Sequence, residues 1–228
     1  MKKLAIALAG LALIGNAAIA QTNTVLSRNA VGYIRQTTVK SNFFLVTHNF
    51  KDINGGAVTV TNLIGNQVPN GTVVILWDPS IQQYHFESRS AGVWIPGTNV
   101  IFPGKGFWLK MATTGSHSNN YQVYLMGEVP DKTTLPTNSA TLVSGLNLIA
   151  NPYPTTVPFT NLLGSIVPRN GDIGMFWDEA NQQYFFESRS AGVWIPGTNV
   201  VHPGKGFWYK NTRATPTNWI VVKPYTWP

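Results

Sequence analysis

The acidic side chains are few enough to take one by one: Asp52, Asp78, Glu87, Glu128, Asp131, Asp172, Asp178, Glu179 and Glu187. Two pairs, Asp78 with Glu87 and Asp178 with Glu187, supply the residue types that glycoside hydrolysis needs, two carboxylates flanking a sugar. Against that reading, Asp78-Pro79 and Asp178-Glu179 sit where a strand runs into a turn, and Asp is favoured there for local backbone hydrogen bonds. The four histidines, His48, His85, His117 and His202, show no metal-ligand spacing. In an internal repeat His85 and His202 exchange with Phe185 and Phe102. A group interchangeable with Phe is a poor candidate for a metal ligand or a base. No G-x-S-x-G elbow occurs, and the absence of cysteine excludes thiolate nucleophiles, disulfides and zinc-thiolate sites. Gly104-Lys105-Gly106 is followed by a β-like run, so it reads as a turn entering a strand rather than a phosphate loop opening a helix. The expectation is a chain without catalysis, metal or cofactor.

What remains is an aromatic and basic set. Arg89, Trp94, Lys105 and Trp108 recur as Arg189, Trp194, Lys205 and Trp208. Exposed indoles stack on sugar rings, and Arg or Lys attracts acidic glycans. The competing reading, that these tryptophans are core or inter-domain packing, carries more weight. The expected partners are glycans or other envelope and matrix proteins. Nucleic acid is a poor fit, since the chain without its leader carries a mild +5 and is expected to be exported.

The set recurs because the chain is a tandem repeat. Tyr84 to Lys110 (YHFESRSAGVWIPGTNVIFPGKGFWLK) and Tyr184 to Lys210 (YFFESRSAGVWIPGTNVVHPGKGFWYK) agree at 23 of 27 positions. Upstream, Thr61–Asp78 and Thr160–Asp178 match at 10 of 18 aligned positions, with Arg169 inserted. Ser41–Phe50 pairs more loosely with Ser144–Tyr153. Each copy spans a normal domain length, and the polar, proline-marked stretch from Glu128 to Pro136 separates them. The expected organisation is a leader at 1–20, one β-domain at 21–130 and a second at 131–228. Loops normally drift fastest, yet here the seemingly exposed Ser-Arg-Ser-Ala-Gly and Pro-Gly-Thr-Asn segments are identical. Either local gene conversion or a shared partner for both copies accounts for that.

Composition fits. Hydrophobic residues make up 43 % and charged residues 11 %, too apolar for disorder. Lys2 and Lys3, the apolar run from Leu4 to Ile14, and Ala18-Ile19-Ala20 followed by Gln21 read as a secretory signal peptide cut between Ala20 and Gln21. Removing it leaves 14 − 9 = +5. The remainder has no apolar run long enough for a spanning helix, so the chain is expected to be secreted: periplasmic, extracellular or at the cell surface.

Helical periodicity is nearly missing, while short β-branched and aromatic runs alternate with Gly, Pro, Asn and Asp. That is the pattern of an all-β sandwich or barrel, giving two tandem β-sandwich-like domains. Strands are expected at Val31–Thr38, Asn42–His48, Thr72–Trp77, Gln82–Ser88, Gly92–Ile95, Gly106–Met111 and Tyr121–Gly127. The second copy repeats them at Thr141–Val143, Leu146–Ala150, Asp172–Trp177, Gln182–Ser188, Gly192–Ile195, Gly206–Lys210 and Trp219–Lys223. The segments Asn62–Gly65 and Asn161–Gly164 suit one helical turn each. Alternation puts Tyr84 and Phe86 on one face and Glu87 and Arg89 on the other, the latter read as a surface pair.

The segments Gly145-Leu-Asn-Leu-Ile-Ala-Asn-Pro-Tyr-Pro154, Phe176-Trp177-Asp178 and Pro203-Gly-Lys-Gly-Phe-Trp208 follow one another in the second copy. In this order the chain resembles a β-domain of secreted bacterial proteins of Bacteroidetes and Verrucomicrobia-like bacteria, with G-W-N-L-I-x-N-P-Y and P-G-x-G-F-W type motifs. Asn29-Ala30-Val31-Gly32-Tyr33 is similar to a mature start in the latter group. The first copy departs from the pattern, since Phe43 to Asn49 lacks the Asn-Pro. The resemblance implies an exported β-rich module and no particular reaction.

Overall fold

The structure is a computed structural model and describes residues 30–53, 57–113, 120–131 and 135–226. The expected leader and its Ala20–Gln21 cut lie outside these residues. The first repeat comprises β1 (Val31–Val39), β2 (Phe43–Thr47), a single helical turn α1 (Val60–Leu63), β3 (Val73–Asp78), β4 (Gln83–Ser90), β5 (Val93–Ile95), β6 (Gly106–Lys110) and β7 (Asn120–Glu128). The second comprises β8 (Thr137–Leu142), β9 (Gly145–Ala150), β10 (Val157–Pro158), α2 (Phe159–Leu162), β11 (Ile173–Asp178), β12 (Gln183–Ser190), β13 (Val193–Ile195), β14 (Val200–Val201), β15 (Gly206–Asn211) and β16 (Thr217–Val222). The all-β expectation holds, and most strands sit within a residue or two of their expected bounds. The helical turns begin two residues earlier than the sequence suggested, α1 because Thr59 caps it by accepting from the Asn62 backbone N–H. The pair β10–β14 was not expected; two residues per strand leave no period to read.

Each repeat has the same plan. A five-stranded antiparallel sheet, ordered β2-β6-β3-β4-β5 or β9-β15-β11-β12-β13, is covered by a two-stranded ribbon, β1-β7 or β8-β16. Phe44, Val46, Val74, Leu76, Phe107 and Leu109 from the first sheet meet Val123 and Leu125 of the ribbon and Val60 and Leu63 of α1 in one core. Phe159, Phe176, Phe207, Tyr209 and Trp219 build its counterpart.

A third apolar cluster lies on the opposite side of both sheets. Leu45, Trp77 and Trp108 meet Leu148 and Trp208 there, flanked by Phe43, Ile75, Leu146, Met175 and Trp177. Successive residues of β2, β3 and β6 therefore serve different cores, as strand alternation requires. A strand buried on both faces reads as an unbroken apolar run, which explains Phe43-Phe44-Leu45-Val46 and Phe107-Trp108-Leu109. The molecule is thus ribbon, sheet, sheet, ribbon, with apolar layers between.

The contacts between the sheets are reciprocal. Trp77 packs edge-on to Trp208 at 5.2 Å and Trp108 edge-on to Trp177 at 5.0 Å. Trp77 Nε1 donates to the Leu146 carbonyl and Trp177 Nε1 to the Phe43 carbonyl, each at 2.9 Å. The Gln82 amide pairs with both backbone groups of Leu146, and the Gln182 amide with both of Phe43. Bridges join Val46 to Lys205 and Lys105 to Ile149. The chain folds as an internal dimer with an approximate twofold relation, the isologous arrangement of two like subunits.

Candidate functional site

The β4–β5 hairpin forms because Ala91 and Gly92, with φ of 48° and 83°, make the left-handed tight turn that matches strand twist. Its register pairs Arg89 with Trp94, Ser88 with Ile95 and Ser90 with Val93. Arg89 and Trp94 consequently point to the same side, and that side is the core. Arg89 Nη1 and Trp94 Nε1 both donate to the Gly65 carbonyl, at 2.5 and 3.0 Å. They fasten the end of the α1 turn to the sheet. Glu87 is 0 % exposed, and its Oε1 accepts from the Asn99 backbone N–H at 2.7 Å. The second repeat shares the glutamate contact, Glu187 accepting from the Asn199 backbone N–H at 2.7 Å, and its Arg189 guanidinium lies 5.9 Å from the Trp194 ring. The expected Glu87–Arg89 surface pair is therefore corrected. Both side chains are buried and are engaged separately, because hairpin pairing turns this face inward.

The aromatic and basic set does not converge on one site. Trp94 and Trp194 belong to the two repeat cores, and Trp108 and Trp208 to the layer between the sheets. None of these indoles is more than 9 % exposed, so none has an open face on which a sugar ring could stack. The sequence signal lay in Gly106-Phe107-Trp108-Leu109, where consecutive apolar residues imply a strand covered on both sides.

The two lysines of the set differ. Lys205 Nζ lies 2.6 Å from Glu179 Oε1 and 2.9 Å from Gln36 Oε1, and Gln36 Nε2 donates to Glu179 Oε2 at 3.1 Å. Lys105 has no such pairing among the described residues and lines a cavity of about 420 Å³. Burial draws its pKa down from the ordinary lysine value, opposed by Asp78.

Alternation missed a surface. With Glu87, Arg89 and Trp94 inward, Tyr84, Phe86, Val93 and Ile95 face outward, and Phe86 is 57 % exposed. Ser88 and Ser90 are interspersed on the same side. Tyr184, Phe186, Val193 and Ile195 give the second repeat the same face. The hairpin side chains of each face are uncharged, and they continue the side of the sheet that packs on the sister repeat, where Lys110 or Lys210 stands two strands away. Where they run into that interface, Tyr84, Phe86, Trp108, Trp177, Tyr184 and Phe43 line a shallow groove of about 300 Å³. The signal available in sequence was the identity itself: Phe86, Val93 and Ile95 are retained in both copies without an internal hydrogen-bonding task.

Among the described residues, no cluster of His, Asp and Glu could hold a metal ion, and no helix is long and apolar enough to cross a membrane. Comparison with family models, curated proteins and solved structures returned no match.

Proposed function

We propose that this chain is an exported, non-enzymatic structural component of the cell envelope or extracellular matrix that assembles with further copies of itself through its two hairpin faces. The observation that carries this reading is the duplicated, outward, uncharged face formed by Phe86, Val93 and Ile95 and again by Phe186, Val193 and Ile195. Exposed apolar patches of this kind mark association surfaces. Charge selects the occupant. Copies of a chain whose formal charge is +5 once the leader is removed repel one another least through the uncharged hairpin side chains, and Glu87 and Arg89 are turned away from these. The cations on this side of the sheet, Lys110 and Lys210, stand two strands away from the hairpin face, beyond Val73 and Ile173. Continuity points the same way, since the remainder of the same sheet face already packs like against like inside the chain.

Two equivalent faces per chain have a consequence for assembly. A contact between like faces occupies one and leaves the other free, so growth is open-ended rather than closed. Sedimentation velocity over a concentration series tests this. The wild-type chain should give a ladder of oligomers. Phe86→Glu or Phe186→Glu alone should stop at dimers, and the double variant should stay monomeric with an unchanged near-UV circular dichroism spectrum. A wild-type chain that remains monomeric throughout, or a double variant that still forms the ladder, overturns the reading.

A further inference from the structure

We infer that the cavity beside Lys105 is a binding site for a small organic monocarboxylate with an apolar body. The sister repeat shows what the same lysine does when its charge is matched: Lys205 is held by Glu179 and Gln36 in a closed polar triangle. In the first repeat both partners are replaced. Pro79 stands in the position of Glu179, one residue after the Trp-Asp that ends the strand. Ala140 stands in the position of Gln36. Gln36 lies opposite Val123 across β1–β7, and Ala140 lies opposite Trp219 across β8–β16. Two residues earlier, Ile34 and Asn138 abut the glycines that precede the two lysines, Gly204 and Gly104.

These two replacements put apolar groups where the carboxylate and amide would be, beside a cavity of about 420 Å³, a volume suited to a small molecule. Trp77, Pro79, Phe102, Ala140 and Leu148 line it together with Lys105. His202 of the second repeat is Phe102 here, which makes the wall more apolar still. Asp78 is felt at the ammonium, but it does not replace the missing partner. Asp78 is committed to its own turn through Oδ1, which accepts from Ser80 N at 2.9 Å and Ser80 Oγ at 2.6 Å, and its Oδ2 lies 3.8 Å from His85 Nε2. A ligand carboxylate would take the place of the Glu179 carboxylate in a charge-assisted hydrogen bond, with its hydrocarbon part against the indole and proline. The site lies apart from the proposed hairpin contacts, so it stands or falls independently of self-assembly.

Calorimetric titration of the purified chain with hexanoate tests it, with hexan-1-ol as the uncharged control. The expected result is one hexanoate site per chain and markedly weaker binding of the alcohol. Lys105→Met should weaken hexanoate binding at least about tenfold. Pro79→Glu, which restores the internal carboxylate of the sister repeat, should do the same, and Lys205→Met should leave binding unchanged. Absence of hexanoate binding, equal affinity for hexan-1-ol, or wild-type affinity in both Lys105→Met and Pro79→Glu overturns the inference.

Discussion

His48 shows how much depends on the surroundings of one side chain. It is fully buried, and neither ring nitrogen has a hydrogen-bond partner among the described residues. Burial pushes its pKa down from 6.5 to about 4, against the opposing charge of Asp52. The folded chain therefore holds the imidazole neutral, while the unfolded chain takes up the proton near pH 6.5. Stability contributed by this group is complete above that pH and declines as the pH falls toward 4. The full decline is about 3 kcal/mol. Urea unfolding at about pH 7.5 and about pH 4.5 should show most of that loss. His48→Asn, which installs the residue of the sister repeat (Asn151), should remove most of it. The interface indoles are a second case at this scale. Trp77→Ala and Trp208→Ala should each cost about 3–5 kcal/mol. Because their rings touch at 5.2 Å, the double variant should lose less than the sum, since each single change already removes the shared contact.

Among the elements, the hairpins and the central strands are controlled by different terms. At the β4–β5 turn a Cβ on Gly92 would meet nothing within 4 Å, yet its φ is +83°. Gly92→Ala should therefore cost only the backbone term, about 1 kcal/mol. On β11 a Cβ on Gly174 would lie 2.6 Å from the Phe159 ring, at a place where the strand presses on α2. Gly174→Ala should cost more, about 1–3 kcal/mol, through displacement of that ring. Thermal melts of the two variants side by side separate the cases, and a smaller loss at Gly174 would contradict the packing described. Strand positions were legible in sequence because Gly, Pro, Asn and Asp punctuate them at the turns. Which face of β4 points inward was not, because both faces carry large side chains and the alternation Tyr84-His85-Phe86-Glu87 is compatible with either. The register with β5 decides it: Trp94 opposite Arg89 commits that side to the core and leaves Phe86 in solvent.

At the level of the whole molecule, the layer between the sheets makes one body of two repeats. Leu45, Trp77 and Trp108 would be uncovered if the first repeat stood alone, as would Leu148 and Trp208 in the second. The intact chain should consequently unfold in a single cooperative transition, and residues 21–130 expressed alone should bind a hydrophobic dye and melt at a lower temperature. An isolated first repeat as stable as the full chain would contradict a shared core. Small asymmetries adapt the repeats to each other. The Asn49 amide donates to the Asn151 carbonyl at 2.6 Å and its Oδ1 accepts from Gly204 N at 2.7 Å, whereas the equivalent Pro152 has no side chain able to reciprocate. The amino-acid sequence by itself determined the duplication, the strand-built architecture and the near-identity of the two hairpins, because each is written in local order: a repeated string, a period of two, and residues that permit tight turns. The tertiary structure alone decided that the paired tryptophans are interior, that Glu87 and Arg89 are buried apart, and that, among the described residues, Lys205 is matched while Lys105 is not. Those outcomes depend on which sheet faces which and on residues distant along the chain, such as Gln36 with Glu179 and Ala140 with Pro79, which only the packing of one repeat on the other brings together.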